Sequence, residues 1–188
     1  MYSQEVTTSS PDLTPPVITP DIQGVLGQNG WYTSDVSITW SVADSQSTVT
    51  SMTGCDPISI TNDQPATSYT CTAASSGGTA NVTVSIQRDA AAPALNPVVT
   101  PDPVLLNGSA VANPNATDTV SGLASATCDS VDSSSVGLHT VACSATDNAG
   151  NTASASASFT VVTPINYLIS GTVYDDLNAN GSRDAGEE

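Results

Sequence analysis

One phrase of the sequence occurs twice. Asp12, Pro16 and Pro20 read D-x-x-x-P-x-x-x-P, and so do Asp89, Pro93 and Pro97, at an offset of 77 residues. Each copy is followed by alternating apolar and polar runs and by one pair of cysteines. Thr163 and Pro164 mark a third start, just before Tyr167. A repeat of this length sets the size of the folding unit. The chain therefore divides into a flexible polar tail (1–11), a first domain (12–90), a second (91–163), and the opening of a third (164–188).

Period-two alternation fills both copies. Val36, Ile38, Trp40 and Val42 share one face, as do Tyr69, Cys71 and Ala73, and Val82, Val84 and Ile86. In the second copy the same parity links Val141, Cys143 and Ala145, and then Ala153, Ala155, Ala157, Phe159 and Val161. Such runs are half-buried strands. Turn signals separate them at Gly77-Gly78, Asn107-Gly108 and residues 147–151. No window has a helical period. The expected fold is all-β: two tandem sandwiches, then the first strand and an acidic loop of a third β domain.

Units this small bury little apolar surface and usually need staples. Cys55 and Cys71 fall in the first unit, Cys128 and Cys143 in the second. Four cysteines allow three pairings, and the repeat selects the one that stays within each unit. Zinc is disfavoured, because there is no C-x-x-C and His139 is the sole histidine. Free core thiols are the other alternative. Closing loops of this length is worth about 3 kcal/mol each, and disulfides persist in oxidising compartments. That places the chain in a secreted or cell-surface setting.

Charge narrows the partners. Eighteen acidic side chains face two basic ones, Arg88 and Arg183, for a net charge of −16. A chain without lysine cannot neutralise a phosphate backbone, so nucleic-acid binding is excluded, and anionic lipid is an unfavourable surface. No run of apolar residues is long enough to span a membrane. Residues 1–5 have neither the basic end nor the apolar stretch of a signal peptide, so the expectation is an internal piece of a longer secreted protein.

The residues at this point resemble known modules. Gly30, Trp31, Tyr32, Thr33, Ser34, Asp35 and Val36, with Trp40, Gly77-Gly78-Thr79 and Arg88-Asp89 ahead of Pro93, are similar to bacterial immunoglobulin-like repeats of large surface proteins. Asp118, Gly122, residues 137–151 and Phe159 resemble a hyalin-repeat-type module. Residues 168–188 resemble the start of a B domain of serine-aspartate-repeat and collagen-adhesin proteins. The resemblance implies immunoglobulin-like sandwiches that act as extracellular spacers or adhesive modules, and calcium binding in the B domain. Collagen-adhesin domains can carry Lys–Asn crosslinks, which a chain without lysine cannot form.

The sharpest constellation is Asp176, Asn178, Asn180, Ser182, Asp184 and Glu187, with Gly181 among them. Counted from Asp176, side-chain oxygens fall at positions 1, 3, 5, 9 and 12, with glycine at 6 and the Ser182 carbonyl at 7. That is the ligand spacing of a twelve-residue calcium loop. Hard oxygen ligands suit Ca²⁺ over a transition metal. The flanks depart from an EF-hand: a strand precedes the loop, no helix follows, and Arg183 occupies the usual apolar position. The alternative is an acidic turn. A second acidic set, Asp118, Asp147 and Asn151, can place calcium between modules, but Asx residues are also ordinary turn formers, and the turn reading is preferred.

Catalysis has little support. His139 is the sole histidine, and no G-x-S-x-G surrounds a serine. Trp31-Tyr32 can stack on sugar rings or pack with Trp40, and packing is preferred. The expected function is a non-enzymatic extracellular spacer of a bacterial surface or secreted protein. It would be flanked by neighbouring domains of the same polypeptide and would have a calcium-stabilised C-terminal module. The alternatives are an adhesive module for a glycan or host protein, and an accessory part of a secreted hydrolase.

Overall fold

The computed structural model describes residues 10–165, 181, 182 and 185. Among them there is no helix, and the strands fall into two groups that share no sheet. The first group comprises β1 (Val17–Gln23), β2 (Trp31–Tyr32), β3 (Val36–Ala43), β4 (Ser51–Thr53), β5 (Ile58–Ile60), β6 (Gln64–Ser75) and β7 (Gly78–Arg88). The second comprises β8 (Val98–Thr100), β9 (Val104–Leu105), β10 (Val111–Asn113), β11 (Leu123–Cys128), β12 (Gly137–Asp147) and β13 (Thr152–Val162).

The two groups repeat one plan. In the first, a sheet of order β1-β3-β5 faces one of order β2-β7-β6-β4. In the second, β8 pairs with β10, and the larger sheet runs β9-β13-β12-β11. Each larger sheet is built on a long antiparallel hairpin, β6 with β7 and β12 with β13, and each accepts a two-residue parallel strand, β2 on β7 and β9 on β13. The plans differ at one edge, because β5 covers β3 in the first unit and no described strand takes that place beside β10.

The cores lie between the sheets, where the alternation directs them. Val36, Ile38 and Ile60 meet Ile86, with Tyr32, Trp40, Tyr69 and Val84 packed around them. Ile18 meets Cys71 and Ala73 in an adjoining cluster. The second core gathers Val99, Val104, Val141, Ala157, Phe159 and Val161. Both faces of each sandwich contribute, so burial is mutual. Cys55 is bonded to Cys71 and Cys128 to Cys143, one bridge per unit, and no described cysteine is free. Each bond ties the edge of the larger sheet to its central hairpin.

Candidate metal centre at the joint between the units

Strand β7 ends at Arg88 and the linker begins at Asp89. Because successive residues of an extended chain face opposite ways, these neighbours point to different places. Arg88 turns back into the first unit. Its guanidinium donates to Ser34 O (2.9 Å), Asp63 Oδ1 (2.6 Å) and Asp35 Oδ1 (2.8 Å), and its side chain is 9% exposed. Asp89 turns toward the second unit and is completely buried. Its backbone N–H is held by Tyr32 O of β2 at 2.9 Å, so its position is set by the first unit's sheet.

Asp89 meets two carboxylates of the second unit there. Asp118 precedes β11, and Asp147 ends β12 at the hairpin turn. One oxygen from each of Asp89, Asp118 and Asp147 lies within 4.8 Å of the others. Asp147 is as buried as Asp89, and Asp118 is half-buried. Backbone donors hold each group in place. Asp89 accepts from Ala91 N (3.1 Å) and Ser121 N (3.0 Å). Asp118 Oδ1 accepts from Val120 N (3.2 Å) and Gly122 N (2.6 Å). Asp147 Oδ1 accepts from Gly150 N (2.7 Å) and Asn151 N (2.8 Å). The Asn151 amide stitches the set together, donating to Asp147 Oδ2 (2.8 Å), Asp89 O (2.9 Å) and Ala91 O (3.1 Å).

The joint is also tied directly. Gln28 N donates to Ala149 O at 2.8 Å, and the Asn29 amide donates to Asn148 O at 2.9 Å. Gln87 Nε2 supports Asn29 O from β7 at 2.9 Å. The loop before β2 thus reads the backbone of the β12–β13 turn.

The charge balance decides what this centre can do. Three carboxylates converge, and Arg88, the one described arginine in a chain without lysine, is committed elsewhere. His139 is also engaged elsewhere, with Ser135 O at 2.7 Å and stacked on Phe159 at 5.5 Å. Buried carboxylates without a positive partner are costly. Amide donors orient them without neutralising them. An all-oxygen set of this kind suits a hard divalent cation such as Ca²⁺, which takes carboxylates, carbonyls and water in flexible geometry.

Of the residues singled out from the sequence, Asp118, Asp147 and Asn151 are brought together. They form the turns expected of Asx residues and also converge on one point. Asp89 was read as a repeat marker and as part of the Arg88-Asp89 pair of the immunoglobulin-like resemblance, not as a ligand, and its signal was its fixed place in the D-x-x-x-P phrase. In the twelve-residue loop, Asp176, Asn178, Asn180, Asp184 and Glu187 lie outside the described residues, as does the first strand of the third domain. Gly181 and Ser182 are described, both exposed, with Gly181 at φ 74°. The preferred packing reading for Trp31 and Tyr32 holds for Tyr32, which sits against the first core, while Trp31 is half-buried on β2. No protein-family model matches the chain, and a comparison with curated proteins finds no match.

Proposed function

We propose that this chain is a segment of an extracellular spacer, built from tandem immunoglobulin-like sandwiches whose joint is stiffened by a divalent cation of the calcium class. The observation that carries the reading is the convergence of Asp89 from the linker with Asp118 and Asp147 from the second unit, two of them fully buried. A spacer needs joints that keep successive units in register, and a cation bridging linker and domain supplies that. The two disulfides support an oxidising compartment. The acidic balance supports a soluble, non-adhesive surface. No described helix is long and apolar enough to cross a membrane. The serine-aspartate-repeat identity of residues 168–188 belongs to this proposal as well, with Asp176, Asn178, Asn180, Ser182, Asp184 and Glu187 as a further calcium loop.

The test is calcium titration of a chain with Asp176→Asn and Glu187→Gln, which silences the C-terminal loop. Thermal unfolding should shift upward at millimolar calcium, because an ion bound only to the folded state stabilises it by mass action. Asp118→Asn with Asp147→Asn should remove the shift contributed by the joint. A calcium response identical with and without those two substitutions would reduce the centre to a set of turn contacts.

A further inference from the structure

We propose that Asn29-Gly30 is a site of spontaneous deamidation gated by the joint: docking of the two units restrains the reaction, and its product keeps them undocked. The sequence holds three Asn-Gly pairs, at Asn29, Asn107 and Asn180, and Asn180 lies outside the described residues. Glycine after asparagine favours this chemistry, because no side chain hinders attack by its backbone nitrogen. Gly30 N attacks Asn29 Cγ, the N–Cγ bond forms, and the Cγ–Nδ2 bond breaks. Nδ2 leaves as ammonia, taking up the proton that Gly30 N loses. Water then opens the cyclic imide. Attack at Cγ yields aspartate, and attack at the backbone carbonyl carbon yields isoaspartate, with the chain rerouted through the former side chain. Both residues are exposed, so water reaches the site.

The docked structure holds each group that must move. Trp31 N donates to Gln28 O at 2.9 Å, and Asn29 and Gly30 have φ 52° and 78°. That is a type I′ turn, for which Asn-Gly is the preferred pair. The Asn29 amide nitrogen, the leaving group, donates across the joint to Asn148 O at 2.9 Å. Asn29 O accepts from Gln87 Nε2 at 2.9 Å. That carbonyl shares a rigid peptide plane with Gly30 N, so Gln87 also holds the nucleophile's orientation. Ring closure must swing the amide away from Asn148 and turn this plane away from Gln87. The second motion is local to the first unit, but the first requires the joint to let go. The rate therefore follows the fraction of time the joint is open.

The product reverses the sign of the contact. A carboxylate has no donor, so at position 29 it sets an anionic oxygen against the Asn148 carbonyl. Isoaspartate also lengthens the chain by a methylene beside Gln28, whose N–H must reach Ala149 O. Neither product restores the docked pairing, so accumulated conversion records how long the joint has stood open. Asn107 is the internal control. It is exposed, but its turn is closed within the second unit by Gly108 N donating to Leu105 O at 2.7 Å. The gate consists of the joint's hydrogen bonds, and neither a bound cation nor a spacer role enters it.

The experiment incubates the 188-residue chain at mildly alkaline pH in chelator and follows conversion at Asn29 and Asn107 by peptide mapping. Folded parent, urea-unfolded parent, Gly27→Ala and Gly150→Ala are compared. A Cβ at Gly150 would lie 3.0 Å from Gln28 Cγ, so this variant presses the joint open from the second unit and leaves the turn at residues 28–31 unaltered in sequence. Conversion at Asn29 should be slowest in the folded parent and fastest in urea. It should rise severalfold in both variants, in step with hydrogen exchange at the Gln28 amide. Asn107 should convert at one rate in all three folded chains. Asn29→Asp, which supplies the product directly, should accelerate Gln28 exchange while the core amides of β7 and β12 stay protected. The proposal is overturned if Asn29 converts as fast in the folded parent as in urea, or if its rate does not track Gln28 exchange across the folded chains. Unchanged Gln28 exchange in Asn29→Asp would overturn it as well.

Discussion

Arg88 and Asp89 are adjacent in sequence but serve different units, and each makes a separate demand. Arg88→Ala removes a buried fork, takes the donor from Ser34 O and leaves Asp63 Oδ1 with the Ala90 N–H. The Asp35 side chain is 67% exposed, so the loss falls short of the 3–5 kcal/mol typical of a fully buried pair; about 2 kcal/mol is expected from chemical denaturation. Asp35→Ala should cost about 0–1 kcal/mol, as exposed ion pairs do. A loss as large for Asp35→Ala as for Arg88→Ala would contradict this division. Acid makes a different demand. Asp132 is held below the usual 3.8 by the Ser134 hydroxyl, by Ser134 N–H and by the nearby charge of His139. Asp12 is held down by the Ser47 hydroxyl and then by Thr14 N–H. Lowered carboxylates contribute stability that is present above their unfolded value and lost as pH falls through the folded one. Melting temperature should therefore fall as pH is lowered from about 4 toward 2, and Asp132→Asn should flatten that slope. A steeper slope in the variant would reverse the sign of the argument.

The hairpins β6–β7 and β12–β13 organise both units, and the disulfides anchor an edge strand to each. Replacing either cysteine pair by alanine should cost about 3 kcal/mol, given loops of this length. Peptide mapping after partial reduction should release the two bridges independently; a mixed Cys55–Cys128 peptide from the native protein would refute the unit boundaries. Gly27 tests the joint at the same scale. A Cβ there would lie 2.3 Å from Ala149 O and 2.7 Å from Thr33 Cγ2, so Gly27→Ala must pry the loop off the β12–β13 turn. Hydrogen exchange at the Gln28 amide should accelerate while the core amides of β12 stay protected. Unchanged exchange at Gln28 would mean the loop does not hold the turn. The strands with clear alternation, β3, β6, β7, β12 and β13, were legible in the sequence because their two faces differ. β1 was not, since Pro20 interrupts it. The structure tolerates Pro20 because β1 is an edge strand, where a missing N–H need not break a ladder. β2 and β9 were invisible for another reason. Two residues in a parallel pairing leave no periodic trace, and only the long partner strand defines them. The carboxylate cluster at the joint was half legible. Asp118 and Asp147 showed as turn residues, but their meeting with Asp89 depends on the hairpin and the linker arriving at one end.

For the whole molecule, the cores stay separate: no described core cluster draws on both units. Among the described residues they are coupled at the joint, through Asp89, Ser121, Asn151, Gln28 and Asn29. Calcium should therefore change orientation more than folding. Residual dipolar couplings measured in chelator and in millimolar calcium should report narrower inter-unit motion with the ion, and small-angle scattering should give an elongated particle in both. Equal motional amplitudes in the two conditions would detach the ion from joint stiffness. The alternation at Arg88 and Asp89 carries one more consequence. With the arginine locked into the unit behind and the aspartate into the unit ahead, the backbone acts as an indexed coupling rather than a tether. Inserting one residue between them would rotate the following unit out of engagement, so the connection does not tolerate a change in length. A string of units joined in this way would wind with a constant angular step, and its pitch would be written into a single dipeptide.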